Sequence, residues 1–373
     1  MSSLYIVIII LLVSGLLYTG LILVFTIGWT RLKRTDSAAG NLIHISVLIP
    51  FRNEEENIKD LFSILLSQDY QSEYYEVIMI NDHSDDNTTQ IIQDSITNDK
   101  IRLLELGEGA GGKKNAVSLG VKYARGDLIA TLDADCRPGK KWLQSIANAY
   151  AEQRCVLLSA PVAIYKPVGF VGKFQALEFL SLIGSGGGAI GSGFPIMCNG
   201  ANLVYEKSAF EEVGGYAGNE HIPGGDDIFL LEKIKKTFGS KKIGFIKDSE
   251  AIVSTEVISS WKAFWDQRIR WVSKSPAYRD TAIVFTALVV LVFNLSLLIS
   301  LVMSFFNQDL LLIFFLLLLL KTIVDFPILK MITSFSKQSK LLLWYLPFQM
   351  IYFIFISFSG IFGNLLSYKW KGR

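Results

Sequence analysis

Residues 1–30 carry no charged side chain, and neither do 282–306 or 341–368. A helix needs about 20 apolar residues to cross the hydrocarbon core of a bilayer. Runs of this length commit the chain to a membrane before any other feature is weighed. The run at 4–30 predicts a transmembrane helix rather than a cleaved leader, because nothing basic precedes it and Arg31, Lys33 and Arg34 follow it. Lys and Arg concentrate on cytoplasmic flanks, so the N-terminus is expected outside and the following domain in the cytosol. Three more apolar stretches, at about 282–306, 310–332 and 341–363, close the chain. Asn307, Gln308 and Asp309 make a tight outer turn, and Lys330, Lys337 and Lys340 mark an inner loop. Four crossings leave Lys369, Lys371 and Arg373 outside, against the charge rule, so a re-entrant or interfacial segment is the alternative. Lys321 and Asp325, at i and i+4, predict a pair on one helix face. Ionisable groups at that depth are costly, which suits either a structural pair or a lipid or glycan path.

Between about 35 and 280 the composition is that of a globular domain, although only 19% of the whole chain is charged. The net charge of +2 implies no acidic or basic polymer partner, and no nucleic acid is expected. Cys136, Cys155 and Cys198 match no disulfide or metal framework and read as free thiols of a reducing cytosol. His44, His83 and His221 are too scattered for a metal cage. Strands are predicted at 45–50, 76–80, 101–106 and 128–132, with helices at 53–68 and 113–124 and another opened by the turn at 81–87. Alternation at this spacing implies an α/β domain with a mainly parallel sheet covered on both faces. Ligands of such sheets bind beyond the carboxyl ends of the strands.

Those ends are acidic. Glu54 and Glu55 follow the first strand; Asp82, Asp85 and Asp86 follow the second; Asp133 and Asp135 follow the fourth. Gathered carboxylates repel unless a cation or hydrogen-bond donors offset them. The D-x-D of Asp133 and Asp135 offers hard oxygens that suit Mg2+ or Mn2+, ions that keep positions open for phosphate oxygens; taken alone, a solvated turn explains it equally. Neither G-x-x-x-x-G-K-[ST] nor G-x-G-x-x-G occurs after a strand, which removes the usual NTPase and dinucleotide cradles. GAGGK at 109–113 puts Lys113 and Lys114 at a helix start, where they can meet a diphosphate or serve as a basic cap.

Together these motifs resemble the membrane-bound, inverting family 2 glycosyltransferases, the group of the cellulose, chitin, hyaluronan and poly-N-acetylglucosamine synthases. The resemblance runs from about Ser46 to Trp271 through VLIPFRNEE, VIMINDHSDDNT, GGKKNAVSLG, LIATLDAD, GGDDIFLL and QRIRW. It implies a GT-A-type nucleotide-sugar domain at 35–255, a helix with the QRIRW motif at 256–280, and transmembrane helices at 1–30 and 281–366. It implies that Glu54 and Asp82 hold the uracil and ribose of a UDP-sugar, that Lys113 sits by the nucleotide, and that Asp133 and Asp135 bind the nucleotide and, chiefly through Asp135, the metal. Asp227 is the implied general base, with Asp226 adjacent as the alternative. Gln267, Arg268, Arg270 and Trp271 would line the diphosphate and the acceptor end. Two departures stand out: Asn81 replaces the first Asp of a family pair, and Asp226 replaces a Glu. Residues 198–202 match the family's G-A-N region below the acceptor.

The implied enzyme is a multi-pass inner-membrane hexosyltransferase with a cytoplasmic catalytic domain and a lipid or glycan acceptor. Processive polysaccharide assembly is the first expectation. Single transfer to a lipid, as in ceramide glucosyltransferases, is the second, and a non-catalytic scaffold the third; an accessory subunit is left unspecified. On a helix, Gln267, Arg270 and Trp271 share a face and Arg268 points elsewhere. Trp261, Phe264 and Trp265 suit an interfacial helix. Residues 170–182 read as a membrane-surface helix, and the glycines of 184–193 as close backbone approach or loop motion.

Overall fold

The computed structural model describes residues 3–35, 40–96 and 100–363; Lys369, Lys371 and Arg373 lie outside them. In chain order the elements begin with helix α1 (Ser3–Arg31), strand β1 (Ile45–Phe51), α2 (Ile58–Leu66), β2 (Tyr75–Asn81), α3 (Thr88–Ser95), β3 (Ile101–Glu105), α4 (Lys113–Tyr123) and β4 (Leu128–Leu132). They continue with β5 (Arg137–Pro138), α5 (Trp142–Gln153), β6 (Leu157–Ser159), β7 (Val162–Ile164), α6 (Gly169–Gly191), β8 (Asn202–Glu206), α7 (Lys207–Glu212) and α8 (Asp226–Phe238). β9 (Ile243–Phe245), β10 (Val253–Thr255), α9 (Trp261–Val272), α10 (Thr281–Met303), α11 (Asp309–Phe335) and α12 (Tyr345–Phe362) follow. They form two compact units. One comprises Leu32–Tyr165 and Met197–Glu256; the other takes Lys166–Ile196 with the described residues before Leu32 and after Glu256. The domain expected to run unbroken over 35–255 thus gives up α6, which packs on α1 and α11 instead.

The first unit is built on a seven-stranded sheet of order β3-β2-β1-β4-β8-β6-β9. β1, β2, β3 and β4 are parallel, as are β6 and β9, while β8 runs antiparallel to β4 and β6. Leu48, Ile49, Ile78, Met79, Ile80, Ile129 and Ala130 are fully buried, as continuous apolar runs in a sheet covered on both faces require. α2 buries Ile58, Leu61, Phe62 and Leu65, its expected stripe, but starts at Ile58 rather than 53. The intervening residues are used by the loop described below. β5, β10 and β7 form a separate three-stranded sheet.

In the second unit, four described stretches are long and apolar enough to cross a membrane: Tyr5–Arg31, Thr281–Met303, Asp309–Phe335 and Ser339–Phe362. α6 is one 23-residue helix that absorbs most of the glycine-rich segment. Those glycines serve close approach: a Cβ on Gly28 would lie 1.9 Å from the Gly188 carbonyl oxygen, and one on Gly188 would lie 2.2 Å from that of Phe25. Small residues let helix backbones touch in this way where lipid offers no hydrophobic drive. Phe264 is not at a headgroup surface. It is fully buried, stacked on Phe355 at 5.2 Å and edge-on to Phe174 at 6.1 Å, so α9 packs into an aromatic layer with α6 and α12. The Lys321–Asp325 pair forms as expected, inside the unit. Tyr18 donates to Asp325 at 2.8 Å, Gln349 donates to it at 3.2 Å, and Lys321 is completely buried.

Candidate active site

The carboxyl ends of β1, β2 and β3 align in register at Phe51, Asn81 and Glu105. The loops leaving β1 and β2 turn on Asn53 (φ +54) and His83 (φ +57), residue types that tolerate the left-handed region. They are stitched together. Asn53 Nδ2 donates to Asp85 Oδ1 at 2.6 Å, and Asn53 Oδ1 accepts from the Asp85 N–H at 3.0 Å. Asp86 Oδ2 accepts from the Glu55 N–H at 3.2 Å. Asn81 ends β2 with an amide that both donates and accepts: Nδ2 donates to Glu105 Oε2 at 2.7 Å, and Oδ1 accepts from the Ser84 N–H at 2.9 Å. A carboxylate at 81 would face Glu105 as a second anion, which accounts for Asn at this departure from the family pattern. Glu54 is half-buried on the same rim, where its Oε2 accepts from Asn57 at 2.9 Å. Asp82 is buried; its Oδ2 accepts from the Gly112 N–H at 2.9 Å and its Oδ1 lies 3.2 Å from His83 Nδ1.

That Gly112 contact leads to the centre of the site. Lys113, the first residue of α4, reaches Asp133 Oδ1 at 2.6 Å, the Gly200 carbonyl oxygen at 3.1 Å and Asp226 Oδ2 at 3.4 Å. Burial alone would lower its pKa, but Asp133 and Asp226 outweigh burial and hold the ammonium above the ordinary lysine range. β8 runs antiparallel to β4, so Asn202 pairs with Leu132 and residues 198–201 arrive beside Asp133. The Gly200 N–H donates to Asp227 Oδ2 at 3.2 Å, while its carbonyl also accepts from Thr131 Oγ1 at 3.0 Å. A Cβ on Gly200 would lie 2.8 Å from Asp226 Oδ2 and 3.2 Å from Lys113 Nζ. Asp226 and Asp227 form the first turn of α8, whose N–H dipoles favour anions. Burial and the adjacent Asp226 nevertheless push the Asp227 pKa up to about 6. The Cys198 thiol donates to the Asp227 carbonyl at 3.4 Å, and burial and Asp227 keep it protonated, so it is a neutral neighbour rather than a nucleophile.

Lys113, Asp133, Asp226 and Asp227 therefore converge. Asp135, two residues beyond Asp133, is exposed. Among the described residues, no three His, Cys, Asp or Glu side chains converge as an ion cage. The donor set still suits a divalent cation: Asp133 and Asp135 give hard oxygens, and one lysine faces Asp133, Asp226 and Asp227. The QRIRW residues belong to α9, in the other unit. Gln267, Arg270 and Trp271 are half-buried. Arg268, expected at the diphosphate, is buried instead: it pairs with Glu178 through Nε at 2.9 Å and through Nη2, and lies 4.0 Å from the Trp271 ring centre. The spacing argument that turned Arg268 away from this face fails for Gln267, whose Oε1 accepts from Arg268 Nη1 at 2.5 Å, and for Trp271, on which Arg268 stacks. Sequence reasoning missed two residues. Gly200 lay inside a matched motif, but nothing signalled its contact with both carboxylates. Lys114 was read beside Lys113, although one residue along a helix turns a side chain by about 100°.

Residues 46–214 match the Glycosyl transferase family 2 model. A poly-beta-1,6-N-acetyl-D-glucosamine synthase of Staphylococcus aureus is 27% identical over 248 residues, covering 64% of this chain and 56% of that protein. The Staphylococcus epidermidis synthase is 30% identical over 234 residues, covering 61% and 53%. The chain spans about half the length of these curated relatives. A solved mannosyltransferase from Pyrobaculum calidifontis, in complex with GDP-Man and Mn2+, superposes with a TM-score of 0.57 at 16% identity, covering 95% of this chain and 99% of that one. With the mostly parallel sheet and the site at its carboxyl edge, these likenesses identify the fold as GT-A and show that the chain carries a family 2 glycosyltransferase domain.

Proposed function

We propose that this chain is an inverting hexosyltransferase that moves a sugar from a UDP-sugar to a membrane-associated acceptor during polysaccharide assembly. The observation that carries the reading is the cluster of Lys113, Asp133, Asp226 and Asp227 at the carboxyl edge of the sheet. In this reading Glu54 and Asp82 hold the uridine. Lys113 keeps Asp133 in place and adds positive charge where a diphosphate leaves. Asp133 and Asp135 would hold Mg2+ or Mn2+, which would neutralise charge developing on the leaving diphosphate. Asp227 takes the acceptor hydroxyl's proton. Its raised pKa makes it a stronger base than an ordinary aspartate, while it stays mostly ionised at neutral pH. Asp226 is the weaker candidate because it is buried against Lys113. One base without an enzyme nucleophile gives one displacement and inversion. Within its own unit, Arg268 fixes α9 on α6 through Glu178.

N-acetylglucosamine is the first sugar to test, given what the relatives are named for. Arg31, Lys33 and Arg34 support a cytoplasmic catalytic unit in a cell inner membrane. The test is to incubate purified full chain with labelled UDP-N-acetylglucosamine and other UDP-sugars, with Mg2+ or Mn2+ and membrane lipid, and to size the product. Polymer supports the reading. A lipid bearing one sugar replaces polysaccharide assembly with glycolipid synthesis, and absence of transfer from every UDP-sugar overturns the activity.

A further inference from the structure

The residue beside Lys113 does something different. Lys114 is buried; its ammonium donates to the carbonyl oxygens of Asn219 at 2.7 Å and Ile222 at 2.9 Å, and lies 4.4 Å from the Phe229 ring centre. The segment it grips leads directly into Asp226 and Asp227. Gly218 (φ +85) and Gly224 (φ +75) supply left-handed turns on either side of it. A second lysine holds the earlier part of the loop: Lys233 of α8 donates to the carbonyls of Gly215 and Ala217, both at 2.7 Å. Buried ammonium groups need such partners, and removing one strands carbonyls that were bonded. The loop is fixed by side chains from α4 and α8, and α4 begins with the lysine that touches Asp133 and Asp226.

We propose that Lys114 is a positioning residue for the acceptor: it clamps 219–222 so that the loop presents a fixed surface in front of Asp227. This deepens, and rests on, the reading of Asp227 as the base. Lys113 reaches the carboxylates of Asp133 and Asp226, whereas Lys114, one residue on, reaches the backbone of the loop that leads into Asp227. Loss of Lys114 should therefore weaken acceptor binding and leave donor binding alone.

The test uses the full chain in detergent or nanodiscs and the variant Lys114→Met. Hydrogen exchange in peptides covering 214–225 is expected to quicken about ten-fold or more, with the β1, β2 and β4 peptides unchanged. The KM for a β-1,6-linked N-acetylglucosamine oligosaccharide is expected to rise about ten-fold, as loss of two charge-assisted hydrogen bonds implies. Affinity for UDP is expected to stay within about two-fold and kcat within about three-fold, because no donor contact is lost. Unchanged exchange in 214–225, or an equal loss of UDP affinity, overturns the proposal. Exchange needs no turnover, so it decides the clamp even if the wild type transfers no sugar, an outcome that instead removes the transferase reading. If Lys114→Met does not fold, the half-buried Lys233→Met decides: faster exchange over 214–217 with a raised oligosaccharide KM supports the clamp, and no change overturns it.

Discussion

Both units bury charged side chains, but they balance them differently. In the helical unit two buried ion pairs, Arg268–Glu178 and Lys321–Asp325, carry further partners of their own. Arg268 meets Glu178 two-fold and stacks on Trp271. Lys321 meets Asp325, which also accepts from Tyr18 and Gln349. In the sheet unit Lys113 is shared between Asp133 and Asp226, with Asp227 adjacent, so anions exceed cations. A balanced pair satisfies itself and holds helices together. An unbalanced cluster is left needing charge from outside, which is the condition of a site rather than a strut.

The comparison breaks first at the unbalanced cluster. Asp227→Asn is expected to cut transfer about 10³-fold, within the usual range for a lost general base, with the fold intact by circular dichroism. Asp135→Asn is expected to match it through lost metal affinity. Full activity in both variants would mean that the excess of carboxylates serves no reaction. The balanced side should behave in the opposite way. Arg268→Met or Glu178→Gln alone is expected to cost about 3–5 kcal/mol of stability, since each leaves a buried ion without its partner. The double variant Glu178→Leu/Arg268→Met should recover most of that in thermal unfolding. Its transfer rate decides what Arg268 does: near-normal turnover in a stable double variant confirms a strut, and a stable but dead one returns Arg268 to the substrate. A smaller effect is expected from Gly200→Ala. Its Cβ would sit 2.8 Å from Asp226 Oδ2, and the carboxylates can yield by a few tenths of an ångström, so kcat should drop about 10- to 30-fold with little change in stability. An unaltered kcat would show that the cluster tolerates displacement.

How much of this was legible in the sequence follows from range. The four parallel strands, the α2 stripe and the Lys321–Asp325 pair depend on periodicity within a few residues, and they lie where expected. Asp133, Asp226 and Asp227 were readable because motif order and strand ends bring them to one edge. Glu178 lies 90 residues from Arg268, and no spacing rule connects them. The α6 glycines signalled close approach but not its partner, Gly28 of α1. Phe264 was read from its helical spacing with Trp261 and Trp265 as an interfacial ring, and tertiary packing overrode that reading. Lys114 shared a motif with Lys113, and only the path of the 219–222 loop separates their tasks.

The smallest effect is the most diagnostic, because activity and stability should run in opposite directions with pH. Asp227 titrates at about 6 in the folded chain against an ordinary 3.8. As a base it must be ionised, so kcat/KM is expected to be full above about 7 and to fall with unit slope as pH drops through about 6. Stability follows the reverse rule. An acid with a raised folded pKa favours the protonated native state. Its contribution is fully present below about 4 and lost as pH rises through about 6. Asp227→Asn removes that titration. At pH 7.5 the variant is expected to be more stable than the wild type by about 1–2 kcal/mol, the full linkage value of about 3 kcal/mol being reduced because the group is only half-buried. That gain should vanish near pH 4, read as the difference between the two unfolding curves across pH, which isolates Asp227 from the other carboxylates. A variant no more stable than the wild type at pH 7.5 would mean that Lys113 and the α8 N-terminus already compensate the carboxylate. The cluster would then be balanced after all.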